Sequence, residues 1–183
     1  MLTAISGRRS LSATAKGDLL TDQAVLDRAA LRSEVRDLLD DCAASLDDLR
    51  LDDWPEFFTD DALYQVISAE NFEAGLPHAT VYCQGKAMIL DRVYALTKTL
   101  VYQPRRQRRF LSGVQIVDVD GDTVHVRSSF LVTQCLLDHE PEVVMVGRNV
   151  DEIVRGGDGS LLLRKRSCVY DNFRVSQSVI IPV

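Results

Sequence analysis

The chain has 183 residues, of which 46% are hydrophobic and 26% charged, and its formal net charge is -6 at pH 7. A chain of this size fits one ordinary domain with a single core. No apolar run approaches the roughly 20 residues that a membrane span requires, and general nucleic-acid binding needs a net basic face that an acidic chain lacks. The composition therefore predicts a globular protein of the cytoplasm, with neither membrane nor nucleic acid among its partners.

The N-terminal stretch carries Arg8, Arg9 and several small polar residues, with no acid before Asp18. It lacks the apolar stretch of about 7–15 residues that a secretory signal contains. We expect residues 1–21 to form a flexible arm and residues 22–183 to form one α+β domain.

An amphipathic helix is predicted over residues 22–49, because apolar residues recur there at three- and four-residue steps. Asp22 is a candidate cap for its start. The stripe contains Leu31, Val35, Leu38, Leu39, Cys42, Ala43, Leu46 and Leu49. A short helical turn with Pro55 near its first position follows. Phe57 and Phe58 are adjacent and point in different directions, so we expect one in the core and one over the next loop.

The middle of the chain predicts short elements. Residues 63–67 are rich in β-branched and aromatic side chains and predict a strand, and residues 68–79 predict a loop. A brief strand around Val81 leads through Gly85 to a second helix over residues 86–97. The predicted inner side of that helix carries Met88, Ile89, Val93 and Leu96.

Two hairpins are predicted in the second half. Residues 114–119 and 123–132 flank Asp120-Gly121, which suits a type I′ turn. Residues 143–154 and 160–170 flank a glycine-rich loop over residues 156–159. If that loop has four residues, Asp151 lies opposite Arg164 and the two can form an ion pair across the strands.

A last short strand is predicted over residues 175–181. The order of helices followed by strands predicts an α+β fold in which a curved, mixed or antiparallel sheet wraps around the N-terminal helices. Long strands around a helix make a cone with an interior pocket.

An arginine block, Arg105, Arg106, Arg108 and Arg109, runs into the first hairpin. Guanidinium groups resist burial without partners, so the block must face water, meet carboxylates of this chain, or meet a partner's surface. It lacks the interleaved aromatic residues typical of nucleic-acid binding.

Candidate chemistry inside the cone is sparse. Tyr64, Tyr82, His125 and Asp171 could reach the interior, where an apolar pocket can hold a carboxyl group protonated or tune a base, as in isomerases and dehydratases. Nothing in their spacing makes them converge, and structural packing is the favoured role for His125 and the tyrosines. The four cysteines and three histidines contain no Cys-x-x-Cys pair and no metal-ligand spacing.

Several segments resemble the small (beta) subunit of aromatic-ring-hydroxylating dioxygenases, which are Rieske non-haem iron oxygenases. The resemblance covers residues 25–183. It is carried by residues 53–64, by Met88 with Asp91-Arg92-Val93, by residues 106–112 and 127–132, by Gly147-Arg148 with Asp151, and by residues 166–171. Glu70-Asn71, residues 75–77 and Asp91-Arg92 look most like subunits of enzymes acting on anthranilate, salicylate or terephthalate.

The resemblance implies the nuclear-transport-factor-like α+β cone and an α3β3 assembly. In such an assembly this chain contacts a large (alpha) subunit and other copies of itself. The large subunit is implied to carry a Rieske [2Fe–2S] cluster and a mononuclear Fe(II), with electrons from NADH, and the small subunit to carry no cofactor and no catalytic residue. The family usually has a histidine where this chain has Arg109.

The sequence leaves three hypotheses about the function of this chain. The leading hypothesis is a structural subunit of an aromatic-ring dioxygenase in aromatic catabolism, in which Arg105, Arg106, Arg108 and Arg109 lie at a subunit boundary or pair with acids. The alternative is an independent isomerase or dehydratase for a small hydrophobic substrate, which requires a sizeable pocket containing His125 or Asp171. The third is a ligand- or protein-binding module without catalysis.

Overall fold

The computed structural model describes residues 13–175 and 179–183. The helices are α1 (Ala13–Asp47), α2 (Ala69–Glu73) and α3 (Lys86–Tyr94), with a 3-10 turn at Trp54–Phe57 and a π-helical turn at Ala95–Thr99. The strands are β1 (Phe58–Ser68), β2 (Val81–Gln84), β3 (Arg105–Asp120), β4 (Thr123–Leu136), β5 (Glu142–Arg155) and β6 (Leu161–Tyr170). The α+β fold class is confirmed.

Helix α1 begins at Ala13, earlier than the predicted start at Asp22. Its predicted apolar stripe is confirmed from Val35 to Leu46, which are buried against the sheet. Leu49 lies beyond the helix end with a φ of 58° and is exposed, so the stripe ends sooner than predicted. Residues 1–12 lie outside the described residues, and the division into arm and domain at residue 21 stays a prediction.

The strands form one six-stranded sheet in the order β2-β1-β6-β5-β4-β3. Neighbours pair antiparallel, as expected for the hairpins, except that β1 runs parallel to β6. β1 is longer than predicted, and its pairing with β6 includes Phe58, Ile67 and Ser68 outside or at the edge of the predicted strand. The predicted loop over residues 68–79 contains α2, which begins where the Ser68 hydroxyl accepts a hydrogen bond from the Asn71 amide.

The first hairpin is confirmed, but its turn differs from the predicted one. Asp120 pairs with Thr123, so the two turn residues are Gly121 and Asp122. Gly121 has a φ of 56°, whereas Asp122 is not among the residues with positive φ. Positive φ at the first turn position alone fits type II′ rather than type I′.

The second hairpin corrects the predicted pairing of Asp151 with Arg164. Arg155 pairs with Leu161, so five residues make the loop instead of four, and the register shifts again after Glu152. Asp151 consequently lies opposite Arg166, and Arg164 contacts Glu152 at 3.1 Å. Because of the longer loop and the bulge after Glu152, Asp151 pairs with Arg166 instead of Arg164.

The core lies between the concave face of the sheet and the helices. Trp54, Phe58 and Tyr64 form an edge-to-face aromatic cluster with ring centroids 5.0–6.0 Å apart. Phe58 is buried and Phe57 only partly buried, as the pattern of adjacent rings predicted. Three of the four predicted inner residues of the second helix are buried, while Met88 is exposed.

The predicted last strand is wrong for the described residues of that segment. Residues 171–175 and 179–183 have no strand structure, and residues 176–178 lie outside the described residues. Residues 179–183 instead turn into the mouth of the cone, where Ile181 is buried. We call residues 179–183 the closing segment.

Candidate functional site

Strand alternation divides the arginine block between the two faces of β3. Arg106 and Arg108 are exposed, and Arg105 and Arg109 are partly buried on the opposite side. Successive side chains on a strand point to opposite faces. The block is therefore two structurally different pairs rather than one basic patch.

Arg109 lies inside the cone. Its side chain is 3% exposed, and its Nη1 lies 2.5 Å from Oδ1 of Asp47, whose side chain is 10% exposed. Its Nη2 donates to the carbonyl of Pro182, and its backbone N–H donates to the other oxygen of Asp47 at 3.0 Å. Burial lowers the pKa of Arg109, and Asp47 opposes that shift. Arg109 thus connects the end of α1, strand β3 and the closing segment.

The other block residues have weaker contacts. Arg108 donates to the carbonyl of Asp47 at 2.9 Å and lies 3.7 Å from the carboxylate of Asp48. Arg105 donates to Gln134 at 3.2 Å and stacks over Tyr102 at 5.6 Å from the ring centroid. Arg106 is exposed and no carboxylate of the described residues lies within ion-pair distance of it. Of the four arginines, Arg109 is the one whose side chain is both buried and paired with a carboxylate of this chain.

An apolar row crosses the outer face of the sheet beside these exposed arginines. Phe110 pairs with Leu131, which pairs with Val146, so one side chain from each of β3, β4 and β5 lies in line. Phe110 is 57% exposed and Val146 41% exposed. We call Phe110, Leu131 and Val146 the outer row.

Cations flank the outer row on both sides. Arg108 lies two residues before Phe110 on β3, and Arg148 lies two residues after Val146 on β5. Both side chains therefore lie on the outer face, one on each side of the row. Arg148 lies 2.8 Å from Glu73 and 3.7 Å from Asp171. Exposed aromatic and aliphatic side chains next to arginine are enriched in protein–protein interfaces. The outer row has the composition of a contact surface.

The cone interior contains an ion pair that sequence reasoning missed. Asp151 and Arg166 are buried, with Oδ1 of Asp151 3.7 Å from Nε of Arg166. Within the described part of the chain, neither carboxylate oxygen has a hydrogen-bond partner. Burial raises the pKa of Asp151 to about 6, and Arg166 opposes that shift. The inward positions of β5 alternate through Met145, Gly147, Asn149, Asp151 and Ile153, and this alternation was the signal in the sequence.

The predicted pocket residues do not converge. Tyr64 lies inside, with its hydroxyl accepting a hydrogen bond from the Val183 N–H at 2.9 Å. Tyr82 and Asp171 are exposed, and His125 is partly exposed on β4. Asp171 lies beside Arg148 on the surface. Only one of the four residues is placed where the dehydratase or isomerase hypothesis needs it.

Two cavities inside the cone, as the described residues define it, are small. The cavity between the closing segment and the strands measures about 40 Å³, and that beside Arg109 and Arg166 measures about 10 Å³. Ligand pockets in proteins typically measure about 300–1,000 Å³. Neither cavity holds a substrate while the closing segment is in place.

The cysteines and histidines of this chain do not assemble a metal centre in its described ranges, where no group of three or more His, Cys, Asp or Glu side chains is suitably placed. The described residues therefore offer no ligand set that fits a Rieske cluster or a mononuclear iron. Over the same ranges, none of the helices has the length and apolarity that a membrane crossing requires.

These features define a class of protein: an α+β cone of the nuclear-transport-factor-like type, filled by its own closing segment and presenting an apolar, arginine-flanked outer face. The sequence profile described as the ring hydroxylating beta subunit matches residues 42–177. The chain belongs to this family, and it is a small subunit of an aromatic-ring-hydroxylating dioxygenase.

Named relatives agree with this assignment. The chain is 33% identical over 138 residues to the small subunit of anthranilate 1,2-dioxygenase from Burkholderia cepacia, covering 75% of this chain and 85% of the relative. It is 28% identical over 141 residues to a beta subunit of the terephthalate 1,2-dioxygenase terminal oxygenase of Comamonas, covering 77% and 91%.

A solved structure supports both fold and family. The beta subunit of a candidate aromatic-ring-hydroxylating dioxygenase from Novosphingobium aromaticivorans superposes with a TM-score of 0.77 at 36% identity. The match covers 85% of this chain and 99% of that one. The predicted family and fold are thus confirmed.

Proposed function

We propose that this chain is a structural small subunit that assembles with a large subunit through the outer row and the exposed arginines beside it. The observation that carries the proposal is the cross-strand alignment of Phe110, Leu131 and Val146 on solvent-exposed sheet, flanked by Arg108 and Arg148. Leaving such a row in water forfeits the hydrophobic stabilisation that burial against a partner supplies.

Charge favours a partner with acidic groups opposite β3. Arg106 has no counter-ion within the described residues, and Arg108 is 55% exposed with its nearest carboxylate oxygens 3.7 Å and 4.0 Å away. Complementary charge at an interface fixes register and raises the association rate. Arg106 is the residue whose environment changes most when the partner binds.

The closed interior supports a role outside the chemistry. Side chains and the closing segment fill the cone, and Tyr82, His125 and Asp171 lie away from it. We therefore assign no residue of this chain to the reacting atoms. The alternative of an independent isomerase or dehydratase lacks both a pocket and a cluster of acid–base groups among the described residues.

The chemistry then belongs to the partner. In this proposal the large subunit holds a Rieske [2Fe–2S] cluster and a mononuclear Fe(II), electrons reach it from NADH through a reductase, and three copies of each subunit form an α3β3 complex in the cytoplasm. The names of the relatives, anthranilate and terephthalate dioxygenases, support an aromatic carboxylate as the substrate class.

Co-expression with a Rieske-type large subunit tests the proposal. Native mass spectrometry of the purified complex gives the stoichiometry, and we expect three copies of each chain. Phe110→Asp places a charge in the outer row and is expected to abolish co-purification, because burying an unpaired carboxylate is strongly unfavourable. Val119→Asp is the matched control, since Val119 lies on the same strand and is 52% exposed.

Arginine variants complete the test. Truncating a buried, paired interfacial arginine costs about 2–5 kcal/mol of binding free energy, whereas a rim arginine costs little. We expect Arg106→Ala to weaken assembly within that range. Unchanged assembly in Phe110→Asp, Arg106→Ala and Arg108→Ala together would show that the partner contacts another face.

A further inference from the structure

The closing segment is held in the mouth of the cone by polar contacts from four separate elements, one of which is β6, where the Cys168 thiol lies 3.7 Å from the Val183 carbonyl oxygen. Arg92 on α3 donates through Nη2 to the carbonyls of Val179 and Ile180, at 2.7 Å and 3.0 Å. Arg109 on β3 donates to the carbonyl of Pro182, and the hydroxyl of Tyr64 on β1 accepts from the Val183 N–H. All of these contacts are made to the backbone of the closing segment.

Between these contacts the segment fills apolar space. Ile181 is 2% exposed and Pro182 is also buried. The two small interior cavities share Val132 and Val183 as lining residues. Val183 therefore lies against both cavities, and withdrawal of the segment adds to them the volume that its own side chains occupied.

The wall of the cone does not depend on the segment for its strand pairing. Strands β3 to β6 pair with one another along their lengths, and the closing segment contributes no strand to the sheet. Its backbone contacts are to side chains of the wall rather than to the backbone of a strand. The segment is consequently separable from the wall that surrounds it.

Several buried polar atoms of the interior have no hydrogen-bond partner. Within the described residues, they are Nε of Arg92, Nε of Arg109, Oδ1 of Asn149, both carboxylate oxygens of Asp151 and Nε of Arg166. Two of them, Nε of Arg166 and Oδ1 of Asp151, lie 3.7 Å apart as an ion pair. Buried polar groups are nearly always hydrogen-bonded, so an unpartnered cluster of donors and acceptors is unusual in a packed core. Arg109, Asn149 and Arg166 line the smaller cavity, and a few polar groups in an apolar cavity are typical of a binding site.

Arg92 at the mouth indicates the charge of a suitable ligand. No carboxylate of the described residues lies within ion-pair distance of its guanidinium, and its Nη2 is satisfied by two carbonyl oxygens of the closing segment. A ligand carboxylate also presents two oxygens to a guanidinium, and its charge strengthens the hydrogen bonds. Withdrawal of the segment leaves Arg92 as an unpaired cation.

We propose that the closing segment is a displaceable plug over a latent binding site, and that the opened cone binds a small apolar carboxylate with Arg92 at the mouth. The apolar part of the ligand occupies the space of Ile181 and Val183, against Val132 and Met145 of the strands. In the closed state the plug competes with the ligand. The apparent affinity therefore equals the affinity of the open form multiplied by the fraction of molecules that are open. The site is distinct from the outer row and does not depend on assembly.

Two variants of the chain open the mouth. One lacks residues 179–183, and the other is the full-length chain with Ile181→Asp, which places a charge in a buried apolar position and expels the segment. Val101→Asp is the matched control, because Val101 is fully exposed in the loop before β3. Near-ultraviolet circular dichroism of Trp54 and cooperative thermal unfolding report whether the wall keeps its structure.

Binding is measured by isothermal titration calorimetry with 2-naphthoate, and with 2-naphthylmethanol as the uncharged counterpart. We expect both opened variants to bind 2-naphthoate at least about tenfold more tightly than the unaltered chain and the Val101→Asp control do. We expect 2-naphthylmethanol to bind more weakly, and Arg92→Met in the truncated chain to remove the preference for the carboxylate.

Three results would overturn the proposal. Opened variants that keep their fold but bind no better than the control exclude a latent site. Loss of cooperative unfolding in both opened variants shows that the segment is part of the core and not a plug. Equal affinity for the two naphthalene compounds removes the carboxylate from the ligand class. Because no large subunit is present, none of these outcomes bears on the assembly experiment.

Discussion

Replacing Arg109 with methionine tests how the arginine block stabilises the fold. Methionine keeps an unbranched apolar side chain but removes the guanidinium that connects Asp47 to Pro182. The substitution removes the charge-assisted hydrogen bond to Asp47, which contributes about 1.5–3 kcal/mol to stability. It also removes the hydrogen bond to the Pro182 carbonyl, which contributes about 0.5–1.5 kcal/mol. Asp47 also loses its main counter-ion while its side chain stays 10% exposed.

The cost falls at the lower end of the range for breaking a buried pair, which is about 3–5 kcal/mol. Asp47 keeps the backbone N–H of Arg109 at 3.0 Å and a distant contact with Arg108 at 4.0 Å, so its carboxylate is not fully stranded. We therefore expect a loss of ~3 kcal/mol in the free energy of unfolding, equivalent to about 6–12 °C in Tm for a chain of this size.

Arg108→Met provides a matched control in the adjacent residue. Arg108 is 55% exposed and contacts the same helix end, and an exposed ion pair contributes about 0–1 kcal/mol. Urea denaturation followed by circular dichroism measures both variants, and a double-mutant cycle with Asp47→Asn isolates the pair. Equal losses in Arg108→Met and Arg109→Met, or no coupling between Arg109 and Asp47, would refute the interior role of Arg109.

Two further predictions concern the interior and the sheet. Burial raises the pKa of Asp151 from 3.8 to about 6. The protonated carboxyl therefore stabilises the fold below about pH 4, and this stabilisation, up to ~3 kcal/mol, is lost as the pH rises through 6. Denaturation between pH 4 and 7 should show a smaller pH dependence in Asp151→Asn, and an unchanged slope would contradict burial as the cause. Gly147→Ala places a Cβ 2.1 Å from the Val169 carbonyl oxygen, so β5 and β6 must separate locally. We expect Tm to fall by several degrees, whereas Gly157→Ala, where nothing lies within 4 Å, should leave it nearly unchanged.

The hairpins show how far local sequence patterns extend. Asp120-Gly121 located the first hairpin, because glycine near two β-rich segments favours a tight turn. It did not locate the start of β3, which begins at Arg105. A register shift follows Ser112, where Gly113 has a φ of 62°, and this reverses the alternation between the arginine block and Val114. The face of each arginine therefore depends on a bulge that composition does not predict.

The Asp151 pairing failed for a related reason. The sequence places an acid on one strand of the second hairpin and several basic residues on the other. Which basic residue it meets depends on the loop length and on the shift after Glu152, and each changes the register. The partner changes from the half-exposed Arg164 to the buried Arg166, which turns a surface ion pair into an interior one.

The sequence by itself determined the family, the α+β class, the helical stripe of α1 and both hairpins, because periodicity and turn chemistry are local and the family motifs lie in order along the chain. Tertiary structure alone decided that Arg109 is buried while Arg106 is exposed, that Phe110, Leu131 and Val146 align, and that residues 179–183 fill the cone instead of forming a strand. Each of these depends on strand register or on contacts between distant segments, and a one-residue shift in register exchanges the inner and outer faces of a strand.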